Sequence, residues 1–158
     1  MPGGWEFYPH LRYGLLALVL DAGSVEDIDG IAWELYMGWD VVFGDEFALE
    51  FDAWSELVQD ELLASAKLLA AYGPQLGRPH ADTLKDSSFA NMKELRFAAD
   101  DGVWRVAFAF DPERSAILLV AGNKSGVKET RFYKVLIATA DKRYQRHLAL
   151  MAAGKRER

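Results

Sequence analysis

The sequence predicts an α+β fold, and three observations carry that prediction. Three short runs, MKELRF, VWRVAFAF and AILLVAGN, are rich in branched and aromatic residues and are separated by AADDG and DPERS. Runs of that kind between Asp, Gly, Pro and Ser clusters form antiparallel strands joined by turns. On either side lie longer stretches, from Asp45 and from Thr130, in which apolar residues recur at three- and four-residue steps, the period of an amphipathic helix. A further strand-like run, WDVVF, precedes the first of them. The expected order is β-α-α-β-β-β-α, an antiparallel sheet packed against helices, with an N-terminal extension.

In chain order, residues 1–36 fit this pattern least. GLLALVL is a seven-residue apolar run, too short to cross a membrane and ambiguous between strand and helix. It lacks the flanks of a signal peptide. Ser24 followed by Asp27 offers a capping box for a short helix through Trp33 and Leu35. Trp39 to Phe43 is the first strand. Gly44-Asp45 then opens a helical stretch whose buried stripe is Phe47, Phe51, Trp54, Val58, Leu62, Leu69 and Tyr72. Ser55 is a cap that breaks the stretch into a hairpin, and Gly73-Pro74 ends it. The acids spread around these turns read as a solvated face. Residues 74–91 read as a loop carrying Arg78, His80 and Lys85. The last helix buries Phe132, Leu136, Ile137, Ala140, Tyr144, Leu148 and Met151, and GKRER is a basic tail.

Composition excludes several classes. The chain of 158 residues is one domain's worth, and it has no cysteine, so it has neither disulfides nor a thiolate nucleophile or metal site. No apolar run reaches membrane-spanning length, and the absence of cysteine fits a cytoplasmic protein. AGNKSG lacks the first glycine and the spacing of a phosphate-binding P-loop. His10, His80 and His147 show no metal-ligand spacing. Neither a cofactor nor a metal is expected. The net charge of −6 hides an asymmetry: residues 37–63 hold eight acids and no base, whereas residues 64–158 hold ten acids and seventeen bases. A basic portion beside an acidic one marks a polyanion-facing surface, unless the charges are merely spread over solvent.

Strand alternation decides between these. Leu95 and Phe97 share one face of the first run, Glu94 and Arg96 the other. In the second, Trp104, Val106, Phe108 and Phe110 form an apolar face, with Arg105, Ala107 and Ala109 opposite. If the apolar faces bury together, Arg96 and Arg105 emerge side by side on an exposed face with small alanines beside them. Lys124 follows in the GNKSG turn, and Arg131, Tyr133 and Lys134 adjoin it. The expectation is a cationic groove on a sheet.

The ordered set KELRF, WRVAFAFD, ILLVAGNKSG and RFYK resembles the phage-derived, HigB-like branch of the RelE/ParE toxin superfamily, from Trp39 to about Leu148. That resemblance implies a RelE-like fold and the toxin of a type II toxin-antitoxin system. It implies an mRNA endoribonuclease, ribosome-associated, which inhibits translation. Partners would be mRNA, the ribosome and a helix-turn-helix, HigA-like antitoxin. In this chemistry a 2′-hydroxyl attacks its adjacent phosphodiester, so the site must supply cations to a phosphorane and move protons. Arg96 and Arg105 suit the first task, because a guanidinium grips phosphate bidentately and stays charged. Lys124 joins them. Glu94, Tyr133 and His80 are rival bases, none singled out. Lys93, Arg78, His80, Arg131 and Lys134 are the expected nucleic-acid contacts. A gyrase poison of the ParE type and an inert antitoxin-binding relative are the alternatives. The resemblance also implies boundaries: an extension over 1–36, a toxin domain over 37–152 and a tail over 153–158. Translation then starts naturally at Met37, or the extension is a dispensable appendage; the rival is that GLLALVL packs on the domain.

Overall fold

The computed structural model describes residues 38–156. The helix through Trp33, the GLLALVL run and the Met37 boundary lie outside the described residues. Within them the strand and helix periods read from the sequence are realised. Strand β1 is Asp40–Phe43, helix α1 Asp45–Asp52 and helix α2 Glu56–Tyr72. Strands β3, β4 and β5 are Met92–Ala99, Gly102–Phe110 and Ser115–Asn123, and helix α3 is Glu129–Arg156. A short strand β2, Ala81–Thr83, forms inside the stretch expected to be loop. It escapes a reading by period because three residues are too few to show one. Long-range pairing with β3 creates it, Ala81 opposite Leu95 and Thr83 opposite Lys93.

The sheet runs β1-β5-β4-β3-β2. All neighbouring pairs are antiparallel except β1 and β5, which are parallel, so the sheet is mixed. The α1–α2 hairpin leads from β1 at one edge to β2 at the other, and the return through β3 and β4 brings β5 beside β1 in parallel. A register shift between Ala107 and Phe108 sets Val120 opposite the first and Leu118 opposite the second.

Helices cover both faces, giving three layers. Against α1 and α2 lie Val41, Leu95, Val106, Phe108 and Leu118, packed on Phe47, Phe51, Leu62, Ala66 and Leu69. Phe47, Phe51 and Phe108 are fully buried, each contributing roughly 2–3 kcal/mol of apolar burial. Trp104, stacked on Phe97 and 4.9 Å from Trp54 between ring centroids, closes this core at one end. The other core joins Met92, Ala107, Ala109, Ile117 and Leu119 to Phe132, Leu136, Ile137, Ala140 and Tyr144 of α3. The face expected to be exposed beside Ala107 and Ala109 is therefore closed: both alanines are buried, and they are small because α3 sits on them.

The cap and stop signals that fall within the described residues hold, whereas two other readings change. The Ser55 hydroxyl accepts from Val58 N–H and starts α2. Gly73 ends that helix at φ 55°, its N–H donating to the Leu69 carbonyl, with the Trp39 indole so close that a Cβ would lie 2.2 Å from it. Tyr72, expected in the buried stripe, is exposed, because the stripe finishes at Leu69 and Ala70. The acids of α1 are not only solvated: Arg143 pairs with Glu46 at 2.6 Å and with Glu50, and Arg146 pairs with Glu46, tying α1 to α3 across the sheet edge.

Candidate nucleic-acid site

Where α3 begins, the sheet face it covers carries charge instead of alkyl groups. Arg96 of β3 and Arg105 of β4 are directly opposed. Like charges opposite each other across a strand pair repel, so this pairing needs a counter-charge. Glu94, one residue pair along on the same face, supplies it. Its Oε1 lies 3.8 Å from Arg96 Nε and its Oε2 lies 3.9 Å from Arg105 Nε. Both separations are ionic contacts outside hydrogen-bond range. The Tyr133 hydroxyl, brought over by the first turn of α3, donates to Glu94 Oε1 at 3.1 Å and accepts from Arg105 Nε at 3.3 Å. Arg105 is further fixed by donating to the Trp104 carbonyl at 2.9 Å.

Burial sets the electrostatics. Glu94 is only 4% exposed, and its Oε2 has no hydrogen-bond partner. Leaving such an atom without a hydrogen bond costs about 1–3 kcal/mol, which the ionic contact with Arg105 partly offsets. Desolvation raises the Glu94 pKa above the ordinary carboxylate value, although Tyr133 and both arginines pull it down. Burial likewise raises Tyr133, against its hydrogen bond from Arg105. Beyond Arg96 stands Asp82 of β2. It accepts from Arg78 at 2.9 and 2.7 Å and from Thr83 N–H, lies 3.9 Å from Arg96 Nη1, and is held below the usual carboxylate range chiefly by Arg78.

The residues expected at the site divide clearly. Glu94, Arg96, Arg105 and Tyr133 converge. Lys124 flanks them, 5.8 Å from the centre of the Tyr133 ring and paired with Glu129 at 3.2 Å. Lys134 lines a cleft next to Glu94 and Tyr133, and Arg131 is exposed on the same turn of α3. Lys93 belongs to the other face, where it donates to the Pro74 carbonyl, because strand alternation turns it away from Glu94. Arg78 lies at the β2 flank, bound to Asp82. His80 is joined to the site through its backbone, its carbonyl accepting from Arg96 N–H at 2.8 Å, while the residue itself is exposed. Asp82 and Glu129 were missed. Asp82 sits in a segment too short to show a period and Glu129 at the first residue of α3, so no local pattern marks either. The groove is accordingly cationic but partly self-neutralised, and Arg105, expected on an exposed face, is buried at 7%.

A mixed five-stranded sheet with a helical hairpin on one face and a terminal helix on the other is an α+β architecture consistent with a RelE-like fold. The family model described as "Phage derived protein Gp49-like" matches residues 49–145. This chain belongs to that family, within the HigB-like branch of the RelE/ParE toxin superfamily. It is 45% identical over 103 residues to a Mycobacterium tuberculosis protein that carries the toxin name HigB3, covering 65% of this chain and 83% of that one. It is 44% identical over 89 residues to a second, under the toxin name HigB2, covering 56% of this chain and 44% of that one. No solved structure matches it.

Proposed function

We propose that this protein is the toxin of a toxin-antitoxin pair and that it cleaves mRNA by metal-independent transesterification. The observation that carries the reading is the opposed arginine pair around a buried glutamate that makes ionic contact with both. A scissile phosphate seated on Arg96 and Arg105 takes over their charge, and the guanidinium N–H groups follow the phosphorane as its negative charge grows. Its arrival leaves Glu94 less tightly held, with a pKa shifted toward neutrality by burial and thus suited to accepting a proton. In the step, the 2′-oxygen forms a bond to phosphorus as its proton passes to Glu94. The bond to the 5′-oxygen breaks, and that oxygen takes a proton from Tyr133. The products are a cyclic phosphate and a 5′-hydroxyl end; water restores the protons. Lys124 and Lys134 hold flanking phosphates. The toxin's work is cytoplasmic, on ribosome-associated message, and its partner is a helix-turn-helix antitoxin of the HigA type. The acidic α1–α2 hairpin and the basic groove are separate surfaces on which that partner can dock.

Induced expression followed by mapping of RNA 5′ ends tests this. New ends bearing 5′-hydroxyls, lost in the Arg96→Ala variant, are expected. Growth arrest with trapped, cleaved DNA on gyrase and intact RNA would establish a poison of the ParE type instead. Harmless expression of a folded protein that still binds its antitoxin would establish an inert relative.

A further inference from the structure

The charges of the groove alternate across three strands. Asp82 of β2 is directly opposite Glu94 of β3, and Arg96 of β3 is directly opposite Arg105 of β4. Each opposed pair is like-charged and repels, so the four side chains hold together only crosswise, acid to base. Arg105 is the fixed base, donating to Tyr133 and to the Trp104 carbonyl. The Arg96 guanidinium makes no side-chain hydrogen bond among the described residues. It lies between two carboxylates, with Nε 3.8 Å from Glu94 Oε1 and Nη1 3.9 Å from Asp82 Oδ2.

Both distances are about 1 Å longer than a hydrogen bond. On the Glu94 side there is room to close the gap, since Oε1 accepts from Tyr133 and a carboxylate oxygen takes two donors. On the Asp82 side that room is taken. Oδ2 accepts from Arg78 Nε at 2.9 Å and from Arg78 Nη2 at 2.7 Å, and Oδ1 accepts from Thr83 N–H at 2.8 Å. Asp82 therefore attracts Arg96 by charge, without a lone pair left on the facing oxygen to capture it. A guanidinium beside one carboxylate closes on it in a charge-assisted hydrogen bond. A second carboxylate pulling from the opposite end opposes that closure.

We propose that Asp82, its lone pairs filled by Arg78, is a positioning residue that holds Arg96 off Glu94. The arginine keeps its donors for a phosphate, and the glutamate keeps its room for a proton. The part of this that concerns cleavage rests on the ribonuclease reading. An arriving phosphate meets a guanidinium with no hydrogen bond to break, already aimed from both ends.

Glu94 faces Arg96 and Arg105 on the sheet, Tyr133 on α3 and Asp82 on β2, and Lys134 and Glu129 line the cleft beside it. Its titration therefore reports any movement of Arg96. The test follows the Glu94 carboxyl carbon and the Arg96 Nε–H by NMR in the full chain. The variants are Asp82→Asn, which keeps the shape and an acceptor for Thr83 N–H, and Arg78→Gln. In Asp82→Asn the Arg96 Nε–H should exchange with water more slowly and the Glu94 midpoint should fall, as the arginine closes on the glutamate. RNA cleavage should drop about tenfold or more with KM little changed, because a misplacement of about 1 Å is enough for that. Arg78→Gln frees Oδ2 to capture Arg96, so the Glu94 midpoint should rise while cleavage again falls. With Arg96→Gln in the background, most of either shift should vanish. Shifts of equal size without Arg96 overturn the proposal, since Asp82 would then act on Glu94 directly. So does an Arg96 Nε–H that exchanges as fast in Asp82→Asn as in the parent. Shifts that need Arg96, in a chain that cuts no RNA, uphold the positioning and refute the nuclease. Cleavage left untouched by Asp82→Asn refutes the positioning and keeps the nuclease.

Discussion

Replacing Arg105 by alanine separates what the site does for the fold from what it does for RNA. The side chain is buried, donates to Trp104 and Tyr133, and stands 3.9 Å from Glu94 Oε2. Removing one partner of a buried charge pair costs about 3–5 kcal/mol when the pair is tight. Here the pair lies outside hydrogen-bond range and Arg96 still faces Glu94, so roughly 2–3 kcal/mol is expected, much of it from the two lost hydrogen bonds. A domain stable by about 5–15 kcal/mol survives that, weakened. Urea unfolding of Arg105→Ala, Glu94→Gln and the double variant measures it. In the double variant no carboxylate is left unpaired, so the costs should fall short of additivity by about 1 kcal/mol or more. Loss of toxicity in Arg105→Ala therefore mixes folding with chemistry. Arg105→Lys is the cleaner probe: it keeps the charge but loses the planar fork, so stability should stay within about 1 kcal/mol of the parent while cleavage falls about a hundredfold. Strictly additive single and double costs would refute the view of Glu94 as the buried counterion of this pair.

Arg96→Ala, at a half-buried position, should cost less stability than Arg105→Ala, because it makes no side-chain hydrogen bond to lose, and should reduce RNA cleavage about a hundredfold or more; a folded variant that is equally toxic contradicts the site. Because burial raises the Glu94 pKa, folding is more favourable with Glu94 protonated than with it ionised. That stabilisation is complete below the unfolded glutamate pKa and is lost as pH rises through the folded value. Unfolding measured from about pH 4 to about pH 8 should show the parent losing ground to Glu94→Gln as pH rises, and a constant gap would count against it. Arg143→Ala removes the link from α3 to Glu46, Glu50 and the Leu119 carbonyl, and should lower stability by about 1–2 kcal/mol, less than a fully buried pair because the side chain is 20% exposed. Gly73→Ala must hold a positive φ with its Cβ against Trp39, so a loss of about 2 kcal/mol or more is expected from thermal unfolding; an unchanged transition would mean that the α2 end is not built as described.

The sequence alone determined the strands from Met92 to Asn123, the Ser55 break, the Gly73 stop and the apolar stripe of α3. Each of these is local: the period of the apolar residues or the chemistry of a cap is complete within a few neighbours. It also placed Glu94, Arg96 and Arg105 on one face, because alternation along a strand needs no partner to be read. Tertiary structure decided the rest. Pairing with β3 made a strand of Ala81–Thr83 and brought Asp82 to Arg96, a contact that no spacing in the chain encodes. The seating of α3 over Ala107 and Ala109 turned an expected open face into a second core and buried Arg105. That same helix delivered the Tyr133 hydroxyl to Glu94, across 39 residues of chain. Charge and desolvation at a site are set by which groups lie within a few ångströms and how much water they exclude. Those distances exist only once the layers have packed.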